Sequence, residues 1–452
     1  MLTPLASAAP PGSDSTGSGG AASERPPASL YELVSPYGVV SSARRNLTPR
    51  GMTDVDCFVA PCGGGSPGVP SPSRTGDGGS GCGRTLADSE RARLIAIAES
   101  AERYSSGDFL GEEVMWARAA ELPGAVLDPR RIPRCSEREL RNPDCPVRPF
   151  DDEASIRWVR GTDLATGEPT WVPAAMACYL LRDVRPEETF NYRISTGYAV
   201  HSSPAEAVVQ GICEVVERDA IAVAWLQKMP LPLVAEDVSS DRISYMMSWG
   251  ARHFVDIYLF DATTDVGLPT VFCLQVARYD QRAHQTVGCG TGRTILEATE
   301  KALLEAATVR ALFTNETPLP ASFAGFVKAD HGARYMGAPD RLDAFSFLID
   351  GADARPRRSH TPWPDDPSEM LRHLIDAHTA LDMQMIVVDR TPRELAAVGL
   401  TAVTAVIPDL QPLSLAPLAQ FRAHRRLASL PVAMGYPSLT EEEQNWWPHP
   451  LA

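Results

Sequence analysis

Two short segments of this chain repeat one another, Glu99-Ser-Ala-Glu102-Arg103 and Glu214-Val-Val-Glu217-Arg218. Each is a Glu-x-x-Glu-Arg unit inside an apolar run that reads as a helix. Residues three apart share one helical face, so each unit presents two carboxylates side by side. Two such helices brought together place four carboxylates around one cavity. That much buried negative charge needs cations. Hard divalent ions with oxygen ligands, the companions of nucleotide phosphates, are the natural answer. The chain therefore has to fold so that two distant helices converge.

The second unit carries more. Glu206, Glu214 and Glu217 fall at i, i+8 and i+11, within one narrow sector of the helix that Pro204 opens. Ser202 stands just before that helix, where a hydroxyl and free backbone N–H groups can meet a phosphate. Arg218 supplies a planar cation for phosphate oxygens.

Composition agrees with a soluble globular protein. The chain has 452 residues, 44% apolar and 22% charged, enough for a large core. A net charge of −15 without a long Lys/Arg run argues against nucleic acid and against an anionic membrane surface. Nine cysteines without a C-x-x-C pair point to a reducing compartment and away from a structural zinc site. The amino terminus lacks a signal peptide, and no segment reads as a membrane span, so a cytoplasmic protein is expected.

Along the chain, residues 1–28 are rich in Pro, Gly, Ser and Ala and read as disordered. A second Gly/Ser/Pro stretch, 63–83, reads as a flexible surface insertion; with no Gly-Lys-Ser/Thr it is not a phosphate loop. Tyr31 to Val40 reads as a strand with a turn, and Arg84 to Ser105 as a helix. Strands are expected near 156–159, 170–173, 194–201, 254–260, 270–276, 385–389 and 402–407, with a helix over 296–313. Gly288-x-Gly-x-Gly292 lacks the spacing of a dinucleotide fingerprint and reads as a turn; His201 is left unassigned. The fold class is α+β. One large domain with an internal duplication spans 29–452, the two Glu-x-x-Glu-Arg helices being the repeated parts.

The segment Ser195 to Ala220, with its Ser-x-Gly strand, helix start and Glu-x-x-Glu-Arg-Asp, resembles the signature of the YcaO family. The likeness extends to Glu99–Ser105, to Gly288–Gly292 with Glu300–Arg310, and to Val387–Thr391 with Gly399–Pro412, and so covers roughly residues 30 to 452. It implies a YcaO-like domain with mixed sheets and helices around a central ATP site. It also implies an enzyme that uses ATP and Mg2+ to activate backbone amides of a ribosomally made precursor peptide. Cys, Ser or Thr side chains then close to thiazoline or oxazoline. On this resemblance Glu99, Glu102, Glu214 and Glu217 hold magnesium, and Ser202, Glu206, Arg218, Glu305 and Arg310 lie on the nucleotide side. A separate E1-like or ThiF-like protein is expected to deliver the leader peptide, and a homodimer is allowed for.

Three departures stand out. Thr308 replaces a family-like glutamine, and Gly81-Cys82-Gly83, followed by Arg84, stands where the family often has glycine-lysine-glycine. The last residues, Trp446-Trp447-Pro448-His449-Pro450-Leu451-Ala452, keep two prolines of a Pro-x-Pro-x-Pro ending. A stiff tail of this kind could carry a terminal carboxylate to the reacting side chain as a general base, which makes Pro448, Pro450 and Ala452 catalytic candidates. The altered ending also admits a thioamide or macrocyclic amidine product. Loss of catalysis altogether would leave a peptide-docking scaffold.

Overall fold

A computed structural model describes residues 30–48, 51–63, 79–107, 114–314, 317–351 and 355–452. The expected disordered segment 1–28 and most of the 63–83 insertion lie outside the described residues. Two units of the same design account for most of the site. In the first, Arg44–Arg45, Val55–Pro61 and Ser80–Leu86 form an antiparallel three-stranded sheet, covered by helix α1 (Ser89–Ser105). In the second, Asp256–Asp261, Thr270–Val276 and Gln285–Thr291 form an antiparallel sheet covered by helix α3 (Ile295–Val309). Between them in sequence lies α2 (Pro204–Leu226), which packs on Thr401–Val406 and Tyr198–His201 at one edge of a seven-stranded mixed sheet.

Small residues fix the strand–helix spacing in both units. A Cβ on Gly81 would collide with the backbone of Ala96 and Ser100, and one on Gly83 with Ala92 and Ala96. Gly288 and Gly290 meet Ala302 with Ala306, and Ala298 with Ala302, in the same pattern. Close approach of two backbones leaves no room for side chains at these points. This corrects several sequence expectations. Residues 80–83 belong to a strand rather than to the flexible insertion, and Arg84–Leu86 continue that strand. The helix starts only after Asp88, whose side chain accepts the Arg91 N–H at 2.9 Å. Gly288 to Thr291 are a paired strand, not a turn. The expected repeat of the two Glu-x-x-Glu-Arg helices is not found: the strand–helix design that recurs pairs α1 with α3, not with α2.

Residues 30–40 form a 3-10 turn, bends and isolated bridges instead of a strand, because Pro36 and Gly38 interrupt pairing. The other expected strands appear within a few residues of their positions. The largest core surrounds the C-terminal half of α2, where Trp225, Phe260, Phe272 and Phe345 are essentially inaccessible. Each such side chain contributes roughly 1.5–3 kcal/mol on burial. Among the described residues no helix is long and apolar enough to cross a membrane.

Candidate active site

Helices α1, α2 and α3, with Arg84 of the Ser80–Leu86 strand, bring five glutamates and three arginines into one electrostatic network. On α1, Glu99 accepts the Cys82 backbone N–H at 2.9 Å and the Arg103 guanidinium at 2.6 Å. Arg103 also stands 3.9 Å from Glu102. On α2, Glu214 accepts the Gly197 N–H at 3.0 Å and lies 3.5 Å from Arg218. Gly197 sits at φ +88 with its carbonyl against Gly211, which explains the glycine of the Ser195-Thr-Gly197 turn. Glu217 accepts from Arg218 at 3.0 Å and from the Cys289 thiol at 3.2 Å. On α3, Glu305 accepts the Cys289 N–H at 2.6 Å and faces Arg84 at 4.0 Å.

Five carboxylates facing three guanidiniums leave this network short of positive charge. Burial pushes the Glu102 carboxyl up to about 8; Glu99 and Glu214 add to the rise and Arg103 opposes it. Burial also raises Glu214 and Glu305, against the pull of Arg218 on each. Buried oxygen donors whose charged form is penalised in a metal-free site fit a hard cation such as Mg2+. Among the described residues, however, no three acidic, Cys or His side chains are gathered closely enough to share one ion. Arg103 and Arg218 are interposed, so the expected quartet interacts electrostatically rather than converging on one point.

Beside the acids opens a cavity of about 740 Å³, bounded by Glu206, Glu214 and Glu217 on α2 and by residues of α1, α3 and the Asp241–Arg252 helix. Arg84, Arg91, Arg242, Arg293 and Lys301 contribute its positive charge, and Ile95, Ile243 and Met246 part of its apolar wall. The size suits one nucleotide, with cations for its phosphates and apolar side chains for its base. Glu206 is held by Arg293 at 2.7 Å.

Other expected residues fall elsewhere. The cap of α2 is Ser203, which accepts the Glu206 N–H at 3.4 Å; Ser202, one residue earlier, is exposed and outside the cavity wall. Arg310 also lies outside it, donating to the Ala283 carbonyl and, at 3.2 Å, to Thr286 Oγ1. Pro448, Pro450 and Ala452 do not line it either. The tail is instead anchored beside α2 and α3. Trp446 lies under Arg422 and Arg138, the Trp447 carbonyl accepts from Trp225 at 3.2 Å, and Ala452 packs against the small cluster of Ala283, Val309, Phe313 and Ala333. The His449 imidazole is held down to about 3, chiefly by burial, with Arg218 adding to the effect. Sequence reasoning gave no site role to Arg84, Arg293, Lys301 or Cys289; only the Gly-x-Gly spacing shared by residues 81–83 and 288–290 could have drawn attention to the cysteine strand.

Residues 80–411 match the family described as YcaO cyclodehydratase, ATP- and Mg2+-binding. The chain belongs to the YcaO family. A relative from Rhizobium leguminosarum bv. trifolii, named "Uncharacterized protein in tfuA 3'region", is 27% identical over 350 residues, 72% of this chain and 75% of the relative. The fold resembles a structure titled "Heterocyclase in complex with substrate and Cofactor", with TM-score 0.77 and 22% identity over 93% of this chain; the chain spans 57% of that heterocyclase's length. It also resembles YcaO from Methanopyrus kandleri bound with AMPPCP and Mg2+, with TM-score 0.55 and 19% identity, covering 82% of this chain and 86% of that one. ATP and Mg2+ are thus the ligands of the family to which this acid-and-arginine site belongs.

Proposed function

We propose that this YcaO protein is an ATP-dependent cyclodehydratase that forms thiazoline or oxazoline rings at Cys, Ser or Thr of a precursor peptide. The observation that carries this reading is the cation-deficient set of glutamates beside a basic, nucleotide-sized cavity. Glu99, Glu102, Glu214 and Glu217 would divide Mg2+ binding among them, no three on one ion, with Glu305 adding its charge from the second unit. The ion's part is to offset charge on phosphate oxygens. Arg84, Arg293 and Lys301 would neutralise and orient the triphosphate, and Arg218 keeps Glu214 and Glu217 aligned. Overall, a peptide side chain adds to the preceding amide carbon and the amide oxygen leaves as phosphate.

Pro448, Pro450 and Ala452 are proposed to border the peptide on the far side of Arg218. Supporting this, His449 feels the charge of Arg218 and Ala452 packs against a cluster that includes Val309 at the end of α3. A heterocyclase bound to substrate and a microcin synthetase complex, McbBCD, share the fold. A separate leader-binding partner is proposed on the same footing.

The test combines precursor peptide, partner protein and ATP, followed by mass spectrometry with fragmentation. Loss of one water per modified Cys, Ser or Thr, mapped to that residue and its preceding amide, supports azoline formation. Replacement of oxygen by sulfur, or a lost water mapped to a macrocyclic link, would overturn it.

A further inference from the structure

The first unit holds a feature the proposed chemistry does not use. Cys57 and Cys82 lie on adjacent antiparallel strands with their sulfurs 3.7 Å apart. The register sets Cys57 opposite Arg84 and Val59 opposite Cys82, so Cys57, Cys82 and Arg84 share the sheet face turned away from α1. Cys57 is buried and Cys82 half-buried, so Cys82 is the more accessible of the two to a soluble oxidant and Cys57 its resolving partner. Both positions are coupled to the site. The Cys82 backbone N–H holds Glu99, and the cross-strand partner of Cys57 is the arginine that faces Glu305.

We propose that Cys57 and Cys82 form a reversible dithiol–disulfide modification site whose oxidation by a peroxide loosens the nucleotide site. The Cys82 thiolate attacks the peroxide O–O bond, giving a sulfenic acid and hydroxide. The Cys57 sulfur then displaces the sulfenic oxygen as water and forms the S–S bond. Two thiols are oxidised by two electrons, and one hydrogen peroxide is reduced to two waters. A disulfide needs its sulfurs at about 2.05 Å, and a diagonal cross-strand pair reaches that only if the strands shift. Such a shift moves the Cys82 N–H from Glu99 and carries Arg84 with it. Excess low-molecular-weight thiol reverses the step by exchange.

The decisive experiment treats the full chain with hydrogen peroxide, maps disulfides in non-reduced digests, and titrates a non-hydrolysable ATP analogue with Mg2+ before and after. The expected result is a Cys57–Cys82 linked peptide together with an affinity loss of at least about fivefold, the low end of ordinary coupling between sites, restored by dithiothreitol. Cys57→Ser should bind the analogue normally and lose the peroxide response. Failure of the linked peptide to form while other thiols are consumed would overturn the site. A linked peptide with unchanged binding would overturn its link to the nucleotide. The affinity readout rests on the proposed function, but the peptide map does not. A reduced protein that binds no nucleotide would therefore count against the function, and the dithiol would be judged by its cross-link alone.

Discussion

Thr308 occupies, in the second strand–helix unit, the place that Glu102 holds in the first. Each stands three residues beyond a glutamate, Glu305 or Glu99, that accepts the backbone N–H of a cysteine between two glycines. Thr308 turns its hydroxyl back to the Leu304 and Glu305 carbonyls at 2.8 and 3.1 Å. The duplicated scaffold therefore carries an asymmetric set of acids, and metal binding should depend more on α1 and α2 than on α3.

Glu214→Ala and Glu217→Ala should each abolish Mg2+-dependent binding of nucleotide more severely than Glu305→Ala. Loss of a direct ligand should exceed the 10–100-fold cost typical of an outer-shell partner. Calorimetric titration with ATP, with and without Mg2+, measures this; equal effects at all three positions would contradict the asymmetry.

The raised Glu102 carboxyl makes metal-free stability fall with rising pH. Its folded value of about 8 exceeds the unfolded value, so the folded state binds more protons between about 4.5 and 8. Stability from this group is complete below the unfolded value and is lost as pH rises through the folded one. Thermal melting without metal should show the decline across that window, and Glu102→Gln should flatten it. Mg2+ competes with the proton, so its stabilising effect should be larger at pH 8 than at pH 6.

Cys289 links Glu217 to Arg218, with its sulfur 3.2 and 3.3 Å from them. Cys289→Ala should raise KM for ATP several-fold with a smaller change in kcat, and Cys289→Ser, which keeps a donor and acceptor, should recover most of the loss. Steady-state ATP hydrolysis in the presence of peptide separates the two parameters.

Asp219, the residue after the second Glu-x-x-Glu-Arg, has a structural role. It is fully buried, pairs with Arg426 at 2.9 Å and accepts the Gln411 N–H at 2.8 Å. Asp219→Ala leaves Arg426 with Asp265 alone and should destabilise the fold by about 3–5 kcal/mol. Chemical denaturation reads the loss, which should occur whether or not nucleotide is present.

Gly290→Ala would press against the Ala298 carbonyl and push α3 from its strand. Overpacking of this kind costs typically about 1–3 kcal/mol. It should lower the melting temperature and weaken nucleotide binding together, because Glu305 rides on the displaced helix.

Sequence alone determined which acids face together. A helical period of 3.6 puts Glu99 beside Glu102 and Glu214 beside Glu217 whatever surrounds them, and Pro204 marks a helix start through its own backbone chemistry. The β-rich runs at 270–276 and 401–406 were legible for the same local reason. Only the tertiary structure decided that Gly288 to Thr291 is a strand, since glycine carries no strand preference and is required there by a helix backbone lying against it. It also decided that α1 repeats in α3, that Arg84 stands before Glu305, and that Arg310 lies apart from the cavity. These are distances between residues far apart in the chain, set by how sheets and helices pack, and no local pattern encodes them.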